Sequence, residues 1–350
     1  SEGYVINKTK FEVTLSYGGQ DVELVNENLS VENVRQKVEI SFKKSIEIDD
    51  VYSGEDIDEH ITFGLFATEE IVAADGSSVP KDGLIEKTGL TKNLIDYLTG
   101  EYSGSFDADL PLGAYYIQEI ATDEGYILDD TKYDVSFEYA GQDTELVEIE
   151  ANNGEAIENN LIRGDIIGHK VTEDGTDLEG AVIGLFYDDE TDFTAANAIM
   201  TSTSDENGAF GFYDVPYGRY IVCEIETVEG CILNDTPYEV IIDEDGEAIN
   251  IEIENEFQMG RIIIEKTGEI LMSWENNDDG TYTPVYEEGG LEGVKFEIKA
   301  AEDIYTPDGV LQYSQGELIE TLVTDENGRA ESKEMYLGNY EVQEVETVYG

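Results

Sequence analysis

One seven-residue pattern, Gly-x-Tyr-x-(Ile/Val)-x-Glu, occurs three times in the chain and limits its architecture more than any other feature. The copies occupy residues 113–119, 218–224 and 338–344, and their last residues are Glu119, Glu224 and Glu344. In each copy the glycine suits a turn, and the alternation that follows is typical of a half-buried strand. Recurrence of one unit along a chain indicates tandem copies of one domain.

A second repeated spacing marks the junctions between domains. Three β-like runs end in Glu-Asn, at Asn33, Asn159 and Asn255. In every case a lysine follows eleven residues later, inside the next apolar run: Lys44, Lys170 and Lys266. The constant spacing predicts short linkers and a rigid connection from the last strand of one domain to the first strand of the next.

These junctions divide the chain into four parts. We expect residues 1–35 to be the C-terminal strands of a truncated domain, 36–162 a complete domain with an insertion at about 68–102, 163–258 a second complete domain, and 259–350 the N-terminal part of another. Short strands at close spacing, with Asn-Gly turns ending at Gly208 and Gly328, predict an all-β chain of antiparallel sandwiches. Helical periodicity is confined to residues 92–98 and 193–199.

The charge of the chain argues against two classes of partner. The sequence has 81 acidic residues against 19 basic ones, a formal charge of −62, and such a surface repels nucleic acid and anionic lipid. Acidic stretches such as residues 276–280 lack the ligand spacing of an EF-hand and are typical of turns, so we predict no metal and no cofactor. No apolar run has the length of a transmembrane helix, so we expect no membrane insertion, and neither terminus resembles a signal or anchor segment.

Catalytic and redox motifs are scarce. Only two histidines are present, His60 and His169, and no pair of acids has a distinguishing context, so we expect no enzyme acting on an external substrate. The two cysteines, Cys223 and Cys231, are too few for a disulfide framework. They could bridge a short connection if oxidised.

Further motifs recur in the same order. Residues 178–186 read LEGAVIGLF and residues 291–298 read LEGVKFEI, and Asp-Glu-Asn-Gly precedes two of the Gly-x-Tyr strands. With the first-strand lysine and the last-strand asparagine, this ordered set resembles the Cna B-type, or SpaA-like, repeat domains of Gram-positive surface proteins, which occur in pilins and adhesin stalks. The resemblance covers essentially the whole chain and implies immunoglobulin-like β-sandwiches in a linear array. It departs from the family in lacking the proline often found between the glutamate and the next Gly-Tyr turn.

In that family, a lysine on the first strand and an asparagine on the last form an intramolecular isopeptide bond with the help of an acidic residue. The resemblance implies two complete triads, Lys44–Glu119–Asn159 and Lys170–Glu224–Asn255, and incomplete sets consisting of Lys266 with Glu344 and of Asn33. General chemistry is consistent with this reaction. Burial favours a neutral lysine amine and a protonated carboxyl group, and contact between the amine and the asparagine amide makes the reaction intramolecular. The alternative is a buried ion pair beside an amide that recurs only because the domain recurs.

We therefore predict a structural stalk or fibre segment, extracellular and held at the cell surface or wall of a Gram-positive-type bacterium. Its partners would be neighbouring domains or copies of the same fibre, and its self-cross-linking would be a single-turnover reaction. Two alternatives stay open. One is an adhesin that binds a host or cell-surface ligand through the insertion at 68–102. The other is a head-to-tail fibre in which residues 259–350 of one molecule receive strands 1–35 of the next.

Overall fold

The protein is described here by a computed structural model covering residues 3–52, 56–91 and 99–348. As predicted, the regular secondary structure of these residues is almost entirely β-strand. The helical segments with described bounds are short: α1 (Ile57–His60) and one 3₁₀ turn (Ala151–Gly154). The helical pattern at 92–98 lies outside the described residues, and residues 193–199 form turns instead of a helix, since so short a segment gains few helical hydrogen bonds. Among all the residues that the structure describes, no helix is long and apolar enough to cross a bilayer.

The chain folds into two compact units. The first consists of Ser1–Arg163, Pro216–Gly218 and Ile242–Gly246, and the second of Gly164–Val215, Arg219–Ile241 and Glu247–Gly350. The first unit contains one β-sandwich. The second contains most of another sandwich and a third set of sheets.

The first sandwich is built from two sheets. One has the order β10-β1-β6, with β9 also paired to β1, and the other has the order β5-β2-β7-β8. Phe42 of one sheet and Phe63 of the other have ring centroids 4.2 Å apart, so the apolar core lies between the sheets. The strands are β1 (Lys37–Ile46), β2 (Thr62–Ala67), β3 (Ile71–Val72), β4 (Ser78–Val79), β5 (Leu84–Thr88), β6 (Glu101–Phe106), β7 (Gly113–Ala121), β8 (Tyr133–Phe137), β9 (Leu146–Glu150) and β10 (Ala156–Asn159).

The second sandwich repeats this plan. Its sheets have the orders β14-β11-β17 and β13-β12-β15-β16, and buried residues such as Ile166, Phe212 and Val222 come from both. The strands are β11 (Arg163–Thr172), β12 (Val182–Tyr187), β13 (Met200–Thr203), β14 (Ala209–Pro216), β15 (Gly218–Glu226), β16 (Tyr238–Ile242) and β17 (Ala248–Asn255).

The third set of sheets has a smaller core, formed by Ile298, Leu322, Ala330 and Met335. Its pairings are β18-β27, β19-β26, β20-β21, β23-β24 and β25-β22-β28. The strands are β18 (Met259–Gly260), β19 (Ile263–Glu265), β20 (Thr267–Asn276), β21 (Tyr282–Gly290), β22 (Lys295–Ala300), β23 (Ile304–Tyr305), β24 (Leu311–Tyr313), β25 (Leu318–Val323), β26 (Arg329–Glu331), β27 (Met335–Tyr336) and β28 (Tyr340–Glu346).

In both sandwiches the first and last strands are parallel neighbours. β1 pairs with β10, where Lys44 is level with Ile157, and β11 pairs with β17, where Lys170 is level with Ile253. In each case the predicted asparagine comes two residues later on the last strand. Because side chains alternate with a period of two, lysine and asparagine face the same side of the sheet, which is the core side.

The N-terminal segment differs from the prediction of C-terminal strands in residues 1–35. Within the described part of the chain, residues 5–34 contain no strand. An isolated antiparallel bridge joins Tyr4 to Arg35, and Val5 N donates to Val34 O across 2.9 Å. A strand needs a hydrogen-bonded neighbour, and no described strand pairs with residues 5–34, so the alternating pattern alone does not form a sheet.

The segment predicted as an insertion, residues 68–102, is partly integral to the first sandwich. β5 pairs with β2 in the place that β13 takes on β12, and β6 lies beside β1 as β14 lies beside β11. Within the described residues of this segment, the small β3-β4 hairpin is an addition relative to the second sandwich.

Candidate functional site

Strand β1 places Lys44 in the core of the first sandwich. Alternation turns Phe42, Lys44 and Ile46 inward, and Lys44 is 1% exposed. Its neighbour Lys43 points outward, where its Nζ donates to Gly154 O across 2.9 Å. Lys44 is therefore the buried member of the Lys-Lys pair, and its Nζ donates to the backbone carbonyls of Ser45 and Ile157, each across 3.0 Å.

The structure brings Glu119 and Asn159 to the same site. Glu119 lies on the inward face of β7 and Asn159 ends β10, and both are almost fully buried. Nδ2 of Asn159 donates to both carboxylate oxygens of Glu119, at 3.0 Å each. Oδ1 of Asn159 is buried without a hydrogen-bond partner, so the amide presents an unsatisfied acceptor inside the core.

The second sandwich holds the same three residue types in tighter contact. Lys170 is fully buried on β11, and its Nζ donates to Asn255 Oδ1 across 2.7 Å and to Ile253 O across 2.9 Å. Nδ2 of Asn255 donates to Glu224 Oε1 across 2.8 Å. Lysine, amide and carboxylate thus form one continuous hydrogen-bonded set.

Burial shifts the acid-base equilibria at both sites. Desolvation lowers the pKa of Lys44 from 10.5 to about 8, although the nearby Glu119 charge opposes the shift. Desolvation likewise lowers the pKa of Lys170 and raises that of Glu119. The directions agree, because a dry site disfavours both an ammonium and a carboxylate. The first site therefore moves toward a neutral amine beside a protonated acid, and the second site moves toward a neutral amine.

A threonine belongs to each site and was missed by sequence reasoning. Nδ2 of Asn159 donates to Thr122 Oγ1 across 2.7 Å, and Nδ2 of Asn255 donates to Thr227 Oγ1 across 2.5 Å. Both threonines follow the site glutamate by three residues. The signal was present, since Thr347 stands three residues after Glu344 in the third copy.

Backbone amides also hold the carboxyl groups. The amide of Asp129 donates to Glu119 Oε2 across 3.0 Å, and the amide of Asn234 donates to Glu224 Oε2 across 2.9 Å. Each donor lies ten residues after its glutamate. Because every residue except proline has a backbone N–H, these two donors could not be recognised from the residue types in the sequence.

The predicted incomplete sets are placed differently. Lys266 has the backbone position of Lys170, because its amide donates to Gly328 O across 2.8 Å as that of Lys170 donates to Gly208 O across 2.7 Å. Its Nζ lies 3.5 Å from Glu344 Oε2, and these side chains are 29% and 35% exposed. Asn33 is exposed in the N-terminal segment and joins neither complete site.

The two cysteines and the two histidines do not come together in a common site among the described residues. Cys223 and Cys231 are buried free thiols, and burial raises the pKa of each to about 11. His60 is bound to Asp123 across 2.6 Å, and His169 is bound to Asp177 across 2.8 Å. Within residues 3–52, 56–91 and 99–348, no group of three or more His, Cys, Asp or Glu side chains is placed to hold a metal ion.

One exposed feature was also missed by sequence reasoning. The β20-β21 hairpin carries Trp274, Tyr282 and Tyr286, whose side chains are more than half exposed. Among the described residues of the two complete sandwiches, no equivalent hairpin occurs. Single exposed aromatics are common on protein surfaces, and nothing in the structure covers this ribbon.

Comparison with known proteins relates the repeats to a family. The family model described as SpaA, prealbumin-like fold domain, matches residues 59–155, 164–257 and 279–350. These matches cover more than half of the chain, and each contains one of the Gly-x-Tyr strands. No curated protein matches the chain.

Several solved structures show similarity to the chain. The Bacillus anthracis TIE protein is 18% identical with a TM-score of 0.52, over 90% of this chain and 46% of its own, so this chain spans less than half of that protein. The minor pilin GBS52 of Streptococcus agalactiae is 16% identical with a TM-score of 0.26, over 64% of this chain and 96% of its own. A C-terminal fragment of the pilus adhesin SpaC from Lactobacillus rhamnosus GG is 14% identical with a TM-score of 0.38, over 64% and 98%. At 18% identity the similarity to the TIE protein concerns the fold alone.

Proposed function

Because this chain belongs to the family described as SpaA, prealbumin-like fold domain, we propose that it is a load-bearing segment of a bacterial surface fibre, a pilus or adhesin shaft. Each complete domain closes an intramolecular isopeptide bond between its first-strand lysine and its last-strand asparagine. The observation that carries this proposal is the buried Lys-Glu-Asn cluster, found in two sandwiches with the same strand register. The segment then works outside the cell, at the surface or wall of a Gram-positive-type bacterium.

The proposed reaction needs no external reactant. Neutral Nζ of Lys170 attacks Cγ of Asn255, so that the Nζ–Cγ bond forms and the Cγ–Nδ2 bond breaks. Glu224 accepts a proton from the attacking nitrogen and delivers one to the departing Nδ2, which leaves as ammonia. The contact of 2.7 Å between Nζ and Oδ1 supports this step, because Cγ is bonded to that oxygen.

The first site supports formation of the same bond, between Nζ of Lys44 and Cγ of Asn159, through its unsatisfied acceptor. A half-turn of the Asn159 amide exchanges Nδ2 and Oδ1, and carbonyl oxygen then faces Glu119 and the Thr122 hydroxyl. A protonated Glu119 donates to that oxygen and polarises the carbonyl toward attack. The raised pKa of Glu119 favours this protonated form.

A purely structural ion pair explains the clusters less well. A buried lysine and glutamate that do not react cost desolvation free energy, and apolar replacements of similar volume are often more stable. Here the costly arrangement occurs twice, around Lys44 and around Lys170, each time with an asparagine in contact with the carboxylate. A reaction that consumes the amine accounts for both occurrences.

The position of the bond suits a protein under tension. The first and last strands of each sandwich are parallel neighbours, so force on the ends of a domain would shear this pair. A covalent link between these strands carries that load. By analogy with disulfides closing long loops, it also stabilises each domain by about 4–5 kcal/mol through the unfolded state.

We further propose domain boundaries at 36–162 and 163–258, with 259–350 as part of a further domain and 1–35 as the end of a preceding one. An isolated bridge lies two residues after each of Asn33, Asn159 and Asn255 and joins the chain there to the Gly-Tyr-like turn. The bridged pairs are Tyr4–Arg35, Tyr126–Leu161 and Cys231–Phe257. This recurrence supports aligning Asn33 with Asn159 and Asn255.

Ligand binding through residues 68–102 stays a prediction.

Intact mass of the purified chain tests the proposal. Each bond releases one ammonia, about 17 Da, so two bonds give a deficit of about 34 Da. Glu119→Gln and Glu224→Gln should each restore about 17 Da, and peptide mapping should link Lys44 to Asn159 and Lys170 to Asn255. Glu226→Gln, an exposed position on the same strand as Glu224, is the matched control and should keep the full deficit. A folded chain of unmodified mass would overturn the proposal.

A further inference from the structure

One end of the second sandwich is covered by a turn from the third set of sheets, and the residues in contact all belong to the second compact unit. The turn joins β23 to β24 and has the sequence TPDG at residues 306–309. Thr172 Oγ1 donates to Asp308 Oδ2 across 3.3 Å, and the other carboxylate oxygen is buried. A Cβ atom at Gly230 would lie 2.9 Å from Pro307 Cγ, so the proline ring packs directly against the backbone of the second sandwich.

The turn contacts both of the segments that flank the site asparagine. Thr172 is the last residue of β11, and it is level with Asn255 on the paired strand β17. Both side chains are buried, that of Thr172 completely. Gly230 belongs to the loop of residues 227–231, whose Thr227 accepts a hydrogen bond from the amide nitrogen of Asn255. Displacement of the turn would therefore disturb the strand beside the asparagine and the loop that binds its amide.

A cysteine is buried beside this contact. Cys231 is 8% exposed and packs with Phe257 in a small apolar cluster, and Tyr336 of β27 packs against the same cluster. The ring centroids of Phe257 and Tyr336 are 5.8 Å apart. Burial raises the pKa of the Cys231 thiol, and the charges of Lys170 in the site and Asp308 in the turn both act on it. The accessibility of Cys231 therefore reports whether this cover is in place.

The first sandwich covers the same position with its own residues. Gly125 is the counterpart of Gly230, since each precedes the bridged residue of the Gly-Tyr-like turn. A Cβ atom at Gly125 would collide with Tyr52 Oη, and Tyr52 lies in the long connection between β1 and β2. The corresponding connection in the second sandwich, between β11 and β12, is shorter. At this glycine, Pro307 from the third set of sheets takes the place of Tyr52.

We propose that the β23-β24 turn seals the second candidate site, and that the bond between Lys170 and Asn255 forms rapidly only while the turn is docked. A role in bond formation rests on the proposed function, to which the seal adds a condition. A sealed site excludes water, which favours the neutral form of the amine, and contacts on both sides of the asparagine restrict the motion of its amide. Pro307 and Asp308 act through the loop and the strand that flank the asparagine, so they are positioning residues.

The seal sets an order of events along the chain. The first sandwich carries its own cover, so its bond can form as soon as that sandwich has folded. The second sandwich obtains its cover only when residues 304–313 of the third set of sheets have folded against it. Bond formation in the second sandwich therefore follows folding of the third set of sheets. The cross-link then fixes a sandwich that is already docked to its neighbour.

A double variant of the 350-residue chain, Pro307→Ala with Asp308→Ala, tests the seal through two readouts. The first is labelling with Ellman's reagent in buffer, with the modified thiols identified by peptide mapping. We expect Cys231 to be modified in the double variant and protected in the unmodified chain. Cys223 should stay protected in both, because it lies on the opposite face of β15 from the site.

The second readout is the rate of bond formation at each site. Peptide mapping of chain sampled at intervals after cell-free synthesis gives the linked fraction at both sites, and the first site serves as the reference within the same molecule. In the double variant we expect the second site to react at least about tenfold more slowly relative to the first. The reason is that each unit by which the amine pKa rises in a wetter site lowers its neutral fraction tenfold.

Two single variants make the test specific. Asp279→Ala is the matched control, because Asp279 also precedes a glycine of positive φ at the tip of a hairpin in the third set of sheets. It should leave Cys231 protected and both rates unchanged. Asp308→Asn keeps the volume of the side chain and an acceptor for Thr172, so its second site should react nearly as fast as that of the unmodified chain.

Protection of Cys231 in the double variant would overturn the seal, as would a second site that reacts as fast as in the unmodified chain. Equal slowing at both sites would also overturn it, because the seal belongs to the second site. Slowing by Asp308→Asn as large as in the double variant would assign the effect to charge instead. If no linked peptide forms at either site of the unmodified chain, the proposed function fails, whereas labelling of Cys231 still reports whether the turn is docked.

Discussion

Lys170 and Asn255 lie on neighbouring parallel strands, and the lysine Nζ donates a hydrogen bond to the asparagine Oδ1 across 2.7 Å. Glu224 accepts a hydrogen bond from the amide nitrogen of the same asparagine across 2.8 Å. The amine, the amide and a proton carrier are therefore already joined by hydrogen bonds inside the core. On our proposal such a set reacts when the domain folds, without an enzyme.

Removing the buried amine should cost stability, and removing its neighbour should not. We expect Lys44→Met to lower the free energy of unfolding of the first domain by about 2–4 kcal/mol. The lost link accounts for about 4–5 kcal/mol, and burial of the apolar methionine side chain offsets part of it. Lys43→Met, at the exposed adjacent position, should change stability by less than about 0.5 kcal/mol. Denaturant unfolding followed by peptide-resolved hydrogen exchange measures both, and equal losses would contradict the inward assignment of Lys44.

The rate of bond formation at the first site should have a maximum at an intermediate pH and fall at lower and higher pH. Reaction needs the tautomer with a neutral Lys44 and a protonated Glu119, which binds one proton per pair. Below the raised pKa of Glu119 the pair binds two protons, and above the pKa of Lys44, about 8, it binds none. The rate should therefore be greatest between these values and fall on either side.

This profile can be measured on unreacted chain refolded from denaturant at a series of pH values, quenched in acid and weighed intact. Glu119→Gln removes the titrating acid and should leave the first site unreacted at every pH, while the second site still loses its ammonia. A rate that rises steadily up to pH 10 would show that the acid is not needed in its protonated form.

The threonine at each site should assist the reaction without being essential. Thr227 contacts the Asn255 amide across 2.5 Å, and loss of one hydrogen bond of about 1 kcal/mol slows a reaction by roughly fivefold. We expect Thr227→Val to slow bond formation in the second domain by about that factor and still reach completion. Thr201→Val, exposed on β13, should leave the rate unchanged. A complete loss of the bond in Thr227→Val would assign the hydroxyl a role in proton transfer.

Both cysteines should be unreactive in the folded chain. Cys223 and Cys231 are buried, and their raised pKa values of about 11 leave almost no thiolate at pH 7. A thiol reagent such as Ellman's reagent should modify neither residue in buffer and both residues in denaturant under non-reducing conditions. Failure to modify either in denaturant would indicate a disulfide between them.

The spacing of the repeated motifs was sufficient to predict the lysine, glutamate and asparagine of each candidate site. Alternation along β1 indicated that Lys43 and Lys44 face opposite ways, and the repeat frame selected Lys44 as the inward residue. The structure places it there, and it brings Glu119 and Asn159 beside it. The repeat spacing could also have predicted Thr122. It could not have predicted the hydrogen bond from the Asp129 amide, because every residue except proline has a backbone donor.

The all-β class, the tandem repeats and the residue types that meet in each core follow from the sequence alone, because strand periodicity and repeat spacing are local properties of the chain. Which of those strands form, and how tightly the site residues meet, depends on tertiary contacts. Val13 and Val135 have the same sequence surroundings, yet Val135 is buried in a sheet and Val13 is exposed. The physical reason is that a strand is stabilised by hydrogen bonds and packing from a distant part of the chain, and the sequence of the strand does not state whether that partner is present.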